Sequence, residues 1–152
     1  MHRNIGRLVA ILLVMTAAAS AIEIKVLALD SKTGDPLHRK KFCLQFSTDV
    51  RTGPPMQCGR TDKHGLFTIQ LPTPTPANVW SFPQTNDLVA CYRTDQAVPV
   101  TVIETIGYVA SGGGITRESS TCGVVRNTPN AKPGVLIVFA HQMSLWEALH
   151  YD

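Results

Sequence analysis

Residues 61–72 constrain the fold more than any other part of the chain. Gly65 tolerates the positive φ of a tight turn, and a strict two-residue alternation begins directly after it. Phe67, Ile69 and Leu71 fall on one face of the predicted strand, and the residues between them are polar. A strand with one apolar face is typical of an antiparallel sheet that covers a core on one side only. We therefore expect a small β-sandwich.

Two earlier segments repeat this pattern. Residues 22–29 place apolar side chains at every second position and predict the first strand, and the turn-forming residues 30–36 predict a hairpin-like reversal after it. Residues 42–46 alternate in the same way, so that both phenylalanines and Leu44 should face the core. The same alternation places Cys43 on the opposite, more polar face or at an edge of the sheet.

The chain has one unbroken apolar run of strand length outside its first residues. Residues 135–140 read Val-Leu-Ile-Val-Phe-Ala. A run of this length and composition is typical of a strand that is covered on both faces. We expect it to be a central strand of the sandwich.

The short segment after this run is a candidate docking element. Ser144 and Glu147 have the spacing of a capping box, which predicts that a helix begins there. Leu145 and Leu149 lie four positions apart, and Trp146 and Leu149 lie three apart, so these side chains are neighbours on the helix. A helix of about nine residues is too short to be stable alone and must dock on the sandwich or on a partner. Leu145, Trp146 and Leu149 are therefore candidate partner-docking residues.

The middle of the chain begins with a proline and threonine run at residues 72–76. Proline lacks the amide donor that a central strand requires, so we interpret this run as a surface connection within one domain. Trp80 and Phe82 follow it and share a face if the segment is extended. We predict that both are core residues rather than a binding platform.

The segment 98–110 contains two conflicting periods. Val98, Val100 and Val102 alternate as in a strand, whereas later apolar residues follow helical spacing. Thr101 and Glu104 have the spacing of a second capping box, which favours a short helix beginning there.

Residues 1–21 have the layout of a secretory signal peptide. Arg3 and Arg7 precede an apolar run, and the segment finishes in the small residues Ala-Ser-Ala. The run is too short for a comfortable membrane span, so we expect cleavage after Ala21, no membrane span in the mature chain, and a secreted or periplasmic location. Removal of the two arginines lowers the formal net charge from +3 to +1. A nearly neutral surface argues against nucleic acid as a partner.

All four cysteines lie after the predicted cleavage site. They are Cys43, Cys58, Cys91 and Cys122. An even number of cysteines in an oxidising compartment favours two disulfides, and none of the spacings is typical of a zinc site. Four cysteines allow three pairings, of which sequence proximity favours Cys43 with Cys58 and Cys91 with Cys122.

No recognisable catalytic motif is present. The sequence contains neither His-Glu-x-x-His nor Gly-x-Ser-x-Gly nor a phosphate-binding Gly-x-x-x-x-Gly-Lys. The histidines at positions 38, 64, 141 and 150 are scattered, and we predict that they are ordinary surface or strand-end residues. We expect no catalytic residues, no bound metal and no cofactor.

The chain resembles a carboxypeptidase regulatory-like domain in three segments: the first strand, residues 33–37 (Thr-Gly-Asp-Pro-Leu), and residues 61–72. The resemblance covers Ile22 to Leu71, with residues 135–140 completing the sheet. It implies a transthyretin-like β-sandwich related to the folds called carbohydrate-binding-like. Residues 73–133 depart from the family pattern and read as a divergent insertion. The family's module carries no catalytic residues that could be transferred to this chain.

These observations predict an all-β protein: a small antiparallel β-sandwich over residues 22–152 with one or two short accessory helices. The leading hypothesis is a secreted, non-catalytic binding or structural module whose surface recognises a polysaccharide, an envelope component or another protein. The alternative is a small secreted hydrolase without a recognisable motif. A binding module should show an exposed aromatic or polar patch, whereas an enzyme should show a deep pocket with converging titratable groups.

Overall fold

The computed structural model describes residues 21–46, 56–110, 122 and 128–149. They form a mostly β structure of two sheets and two short helices, as the alternating segments predict. The first sheet contains, in spatial order, Leu66–Gln70 (β4), Glu23–Asp30 (β1), Val135–Gln142 (β9) and Leu88–Ala90 (β6), with Tyr108–Val109 (β8) also paired to β9. The second contains Met56–Arg60 (β3), Lys41–Phe46 (β2), Asn78–Pro83 (β5) and Val98–Pro99 (β7). The helices are Val100–Ile106 (α1) and Leu145–Leu149 (α2).

The turn before β4 and the strand itself have the predicted geometry. Gly65 has a φ of 75°. Phe67, Ile69 and Leu71 are all buried, whereas Thr68 is exposed. Strand β4 pairs with β1 in antiparallel register, so its apolar face continues the apolar face of β1.

Strand β9 is central, as its unbroken apolar composition predicts. It lies between β1 and β6, and residues 136–140 are all buried. Leu136, Val138 and Ala140 belong to the core between the two sheets. Ile137 and Phe139 belong to a second apolar cluster on the other face of the strand. Burial on both faces is the reason that the segment shows no alternation.

The first sheet is mixed, because β9 runs parallel to both β1 and β8. Every pairing in the second sheet is antiparallel. The predicted hairpin-like reversal after β1 is only partly correct. Residues 30–36 do form a tight turn, with Leu29 bridged to Pro36. However, β2 then joins the second sheet instead of pairing with β1. The turn therefore carries the chain from one layer of the sandwich to the other.

Cys43 departs from its predicted environment. It lies on the face opposite Leu44, as alternation requires, but its exposed fraction is 0%. Strand β2 is an inner strand of the second sheet, and Cys43 lies directly between Cys58 on β3 and Phe82 on β5. Cys43 therefore lies on the predicted face, the one that carries the half-buried Lys41 and Gln45, but its neighbours cover it and it is not at an edge of the sheet.

The prediction that Trp80 and Phe82 are core residues is also wrong. The register between β2 and β5 places Ser81 opposite Leu44 and Val79 opposite Phe46. Val79 and Ser81 are therefore the core-facing residues of β5, and both are buried. Trp80 and Phe82 are half-buried on the outer face of the second sheet.

Helix α1 forms where a helix was expected, but it has no capping box. It begins at Val100, with Pro99 at the N-cap and no side-chain cap hydrogen bond. Proline has no side-chain acceptor that could cap the helix, and the Val100 amide donates instead to the Ala77 carbonyl at 3.0 Å. The helix ends at Gly107, whose φ of 77° permits the chain to turn towards β8.

Candidate functional site

The candidate site lies where the parallel strands β1 and β9 end at the same edge of the first sheet. Asp30 is the last residue of β1 and is in register with Ala140, so the next residue of β9, His141, lies beside it. The imidazole Nδ1 is 3.1 Å from Asp30 Oδ2. Both side chains are largely buried, with exposed fractions of 14% for Asp30 and 12% for His141. Parallel pairing thus joins two residues that are 111 positions apart.

The turn after β1 fixes the Asp30 carboxylate. Its Oδ1 accepts hydrogen bonds from the backbone amides of Lys32, at 2.9 Å, and Thr33, at 3.0 Å. Burial raises the pKa of Asp30, but these two amide donors and His141 favour the charged form more strongly, so its pKa lies below the ordinary value of 3.8. Asp30 is therefore an anchored carboxylate at neutral pH.

Helix α2 follows β9 closely and is fastened to the end of the sheet by Glu147. Glu147 Oε1 lies 3.1 Å from Lys32 Nζ and 3.4 Å from His141 Nε2. The second of these is an ion-pair distance only, because His141 Nε2 makes no hydrogen bond to any residue that the structure describes. One carboxylate of the helix thus contacts a residue from the turn after β1 and a residue from the end of β9.

The predicted capping box at the start of α2 is present. The Ser144 amide donates to Glu147 Oε2 at 2.8 Å, and the Glu147 amide donates to Ser144 Oγ at 3.2 Å. The amide donor and the ammonium of Lys32 stabilise the charged carboxylate and lower the pKa of Glu147 to about 2. The same side chain therefore caps the helix and attaches it to the sheet.

The three large apolar side chains of α2 are exposed. Leu145 is 84% exposed, Trp146 70% and Leu149 76%. The structure brings the three predicted docking residues together on one short element at the surface. Large apolar side chains grouped on the surface are typical of interaction sites.

The buried cluster is not arranged for nucleophilic catalysis. A serine nucleophile would need a hydrogen bond to a histidine nitrogen and access to substrate. Ser31, which follows Asp30, is only 1% exposed, and its hydroxyl makes no hydrogen bond to any residue that the structure describes. The Nε2 atom of His141 faces Glu147 instead. The contacts of Glu147 with His141 and Lys32 connect α2 to the end of the first sheet.

Within the described residues, no group of three or more His, Cys, Asp or Glu side chains is arranged to hold a metal ion. Nor is any helix in these parts of the chain both long and apolar enough to cross a membrane. The predicted signal peptide, residues 1–21, lies outside the described residues except for Ala21.

The cysteines form two disulfides, and the pairs are those that sequence proximity favours. Cys43 is joined to Cys58 and Cys91 to Cys122. The first bond connects directly opposed residues of β2 and β3. The second contributes Cys91 to the apolar cluster on the outer face of the first sheet. Disulfides persist in oxidising compartments, so they indicate a protein that lies outside the cytoplasm.

Sequence reasoning found the apolar part of the site and missed its polar part. The capping box and the apolar spacing of α2 are local signals, and both were visible in residues 144–149. Asp30, Lys32 and His141 were not identified, because only the pairing of β1 with β9 brings them to Glu147. The available signal was that Asp30 and His141 each end a predicted strand.

Comparison with known proteins does not identify the chain. No family model and no curated protein match it. A search of solved structures finds similarity to a 9R-lipoxygenase from Cyanothece PCC8801, with a TM-score of 0.35 and 23% sequence identity. The match covers 52% of this chain, which spans 12% of the length of the lipoxygenase chain. A likeness at this TM-score carries no argument about fold or activity.

Proposed function

We propose that this protein is an exported, non-catalytic β-sandwich module of the carboxypeptidase regulatory-like type that binds another secreted or envelope protein through α2. The observation that carries the proposal is the exposure of Leu145, Trp146 and Leu149, each 70% or more, on a helix that is fastened to the sandwich. The two disulfides and the signal-like residues 1–21 support export.

The chemistry of α2 favours a protein partner over a membrane surface. Helices that lie on anionic membranes carry Lys and Arg around their apolar face. Helix α2 has the sequence Leu-Trp-Glu-Ala-Leu and contains no basic residue. Lys32, the cation that contacts the helix among the described residues, is already paired with Glu147. The helix therefore offers no basic side chain of its own to lipid headgroups.

The same residues favour a protein over a polysaccharide. Polysaccharides bind to aromatic rings together with polar side chains, whereas two of the three exposed residues here are leucines. Apolar anchors separated by three and four positions on a helix are the pattern by which a helix enters a hydrophobic groove of a protein. Trp is also enriched among the residues that dominate binding energy at protein interfaces.

The proposal is tested by measuring retention of the oxidised protein on three immobilised surfaces: envelope proteins, insoluble polysaccharides and anionic vesicles. We expect the protein to be retained on the envelope proteins at high salt. Protease treatment of the immobilised envelope proteins should abolish this retention. Trp146→Ala and Leu149→Ala should each weaken retention about tenfold or more.

Ile106→Ala provides the matched control. Ile106 is 64% exposed at the end of α1, near the start of β9, whereas α2 follows the end of that strand. Its substitution should leave retention unchanged. The proposal would be rejected by salt-resistant binding to one polysaccharide or to the vesicles. It would also be rejected if Ile106→Ala weakened retention as much as Trp146→Ala and Leu149→Ala do. Sedimentation of the protein alone measures whether it self-associates, which would make a second copy of the chain the partner that binds α2.

A further inference from the structure

His141 is placed between two carboxylates that belong to different elements. Its Nδ1 lies 3.1 Å from Asp30 Oδ2 at the end of β1, and its Nε2 lies 3.4 Å from Glu147 Oε1 on α2. The ring is only 12% exposed, so water does not readily replace either contact. Asp30 is held by the turn after β1, whereas Glu147 moves with α2.

We propose that protonation of His141 tightens the attachment of α2 to the sandwich, so that the docking surface is more rigidly held in mildly acidic than in mildly alkaline solution. A neutral imidazole has one N–H donor and one acceptor nitrogen, whereas the imidazolium has two donors. Only the charged form can donate to Asp30 and Glu147 together. When the neutral ring donates to Asp30, its acceptor nitrogen faces a carboxylate oxygen of Glu147, which is unfavourable.

The other charged group at this position limits the size of the effect. Among the described residues, the charges that face the ring are Asp30 from β1, Lys32 from the following turn, and Glu147 from α2. Lys32 Nζ contacts the same Glu147 oxygen, Oε1, as the ring does. Lys32 therefore retains part of the attachment when His141 is neutral. We expect the ratio of attached to detached α2 to change about three- to tenfold between pH 6 and pH 8.

Both carboxylates remain charged over this range. The pKa of Asp30 lies below 3.8 and that of Glu147 is about 2, so neither titrates between pH 6 and pH 8. Neither carboxylate is therefore the cause of a change in the attachment of α2 over this range.

The biological role of this pH dependence rests on the proposed docking function of α2, but the test of the inference requires no partner. The measurement is the nuclear Overhauser effect between the His141 ring and the Glu147 side chain in the oxidised full chain, together with ¹⁵N relaxation of the α2 amides, at pH 6 and pH 8. Glu147→Ala supplies the detached reference. Wild type should show a weaker cross-peak and more mobile α2 amides at pH 8 than at pH 6.

His64→Gln is the matched control, because His64 is an exposed histidine in the turn before β4. It should behave as wild type, whereas His141→Gln should give α2 amides with the same mobility at both pH values. If His141→Gln does not fold, Glu147→Gln tests the same contact with His141 intact and should likewise remove the pH dependence. Equal attachment at both pH values in wild type, or a pH dependence that persists in either variant, would overturn the inference. Failure here leaves the substitutions of Trp146 and Leu149 as an independent test of docking.

Discussion

Gly65 shows how a single residue fixes the position of a strand. Its φ of 75° lies in the region that residues with a Cβ rarely adopt, and a Cβ added there would lie 2.6 Å from the Ala28 carbonyl oxygen. The Ala28 amide also donates to the Gly65 carbonyl at 2.8 Å. The turn must thus approach β1 closely for β4 to begin in its observed register with β1.

We therefore predict that Gly65→Ala lowers the free energy of unfolding by about 2–3 kcal/mol. Gly34→Ala is the control: its φ is similar, at 79°, but no atom lies within 4 Å of an added Cβ. That substitution should cost about 1 kcal/mol, from backbone strain alone. Urea unfolding followed by circular dichroism measures both. Equal costs would show that the contact with Ala28 is unimportant.

Glu147 makes the attachment of α2 sensitive to acid. Its pKa is lowered from 4.5 to about 2, first by the Ser144 amide in the capping box and then by Lys32, so both the capped helix and its attachment favour the charged carboxylate. This contribution is complete above pH 4.5 and is lost as the pH falls towards 2. We predict that α2 detaches over this interval, before the sandwich unfolds, as measured by ¹⁵N relaxation of its amides. Glu147→Gln should lack the transition; a transition that survives in this variant would assign it to another group.

The residue scale also shows what sequence can and cannot predict. The positive φ of Gly65 and the buried face of β4 were predictable, because both depend on residues within one turn and one strand. The environments of Cys43 and Trp80 were not. Alternation separates the two faces of a strand but does not state which face is covered, and here the register between β2 and β5 decides it.

At the scale of elements, β3 depends on the Cys43–Cys58 disulfide. All five residues of β3 are exposed or half-buried, so apolar burial holds this edge strand only weakly. Its pairing with β2 is reinforced by a covalent bond between directly opposed residues. The bond therefore compensates for the small apolar contact of the strand.

We predict that replacing Cys43 and Cys58 together by alanine lowers the free energy of unfolding by about 3 kcal/mol, the chain-entropy value for their 15-residue separation. The corresponding change at Cys91 and Cys122, which are 31 residues apart, should cost about 0.6 kcal/mol more. Denaturant unfolding of both double variants measures the difference. Stability equal to wild type in the first variant would show that β3 is held by other contacts.

The two helices differ in how far sequence predicts them. The capping box of α2 is correct, because Ser144 and Glu147 interact with each other and need no other part of the chain. In α1 the residues with capping-box spacing lie inside the helix, which begins one position earlier, after Pro99. Pairing of Val98 with Val79 fixes where the strand ends and hence where the helix can begin.

At the scale of the whole molecule, the core and the proposed docking surface are separate. The core lies between the sheets and includes Leu136, which is fully buried, whereas Leu149 is 76% exposed. The same substitution at these two leucines should therefore have opposite consequences.

Leu136→Ala should lower the free energy of unfolding by about 2–5 kcal/mol because it leaves a cavity between the sheets. Leu149→Ala should change it by less than about 0.5 kcal/mol and should weaken only partner binding. Thermal unfolding and the retention measurement together check both expectations. Substantial destabilisation by Leu149→Ala would make α2 a part of the core instead of a docking element.

The β-sandwich class was predictable from alternation alone, but the connection between its ends was not. No periodicity in residues 22–29 indicates that their parallel neighbour is β9. The cluster of Asp30, His141 and Glu147 depends on that pairing and was hidden for the same reason.

The pairing of β1 with β9 also determines when the fold can be completed. Lys25 is in register with Val135, 110 residues further along the chain. A chain that emerges from a ribosome or a translocation channel with its N-terminus first leaves one side of β1 unpaired until nearly all later residues have followed. Contacts of such long range slow folding and leave apolar strand edges open to aggregation meanwhile. In nascent chains of this protein, this side of β1 should consequently stay unpaired until Val135–Gln142 has been made.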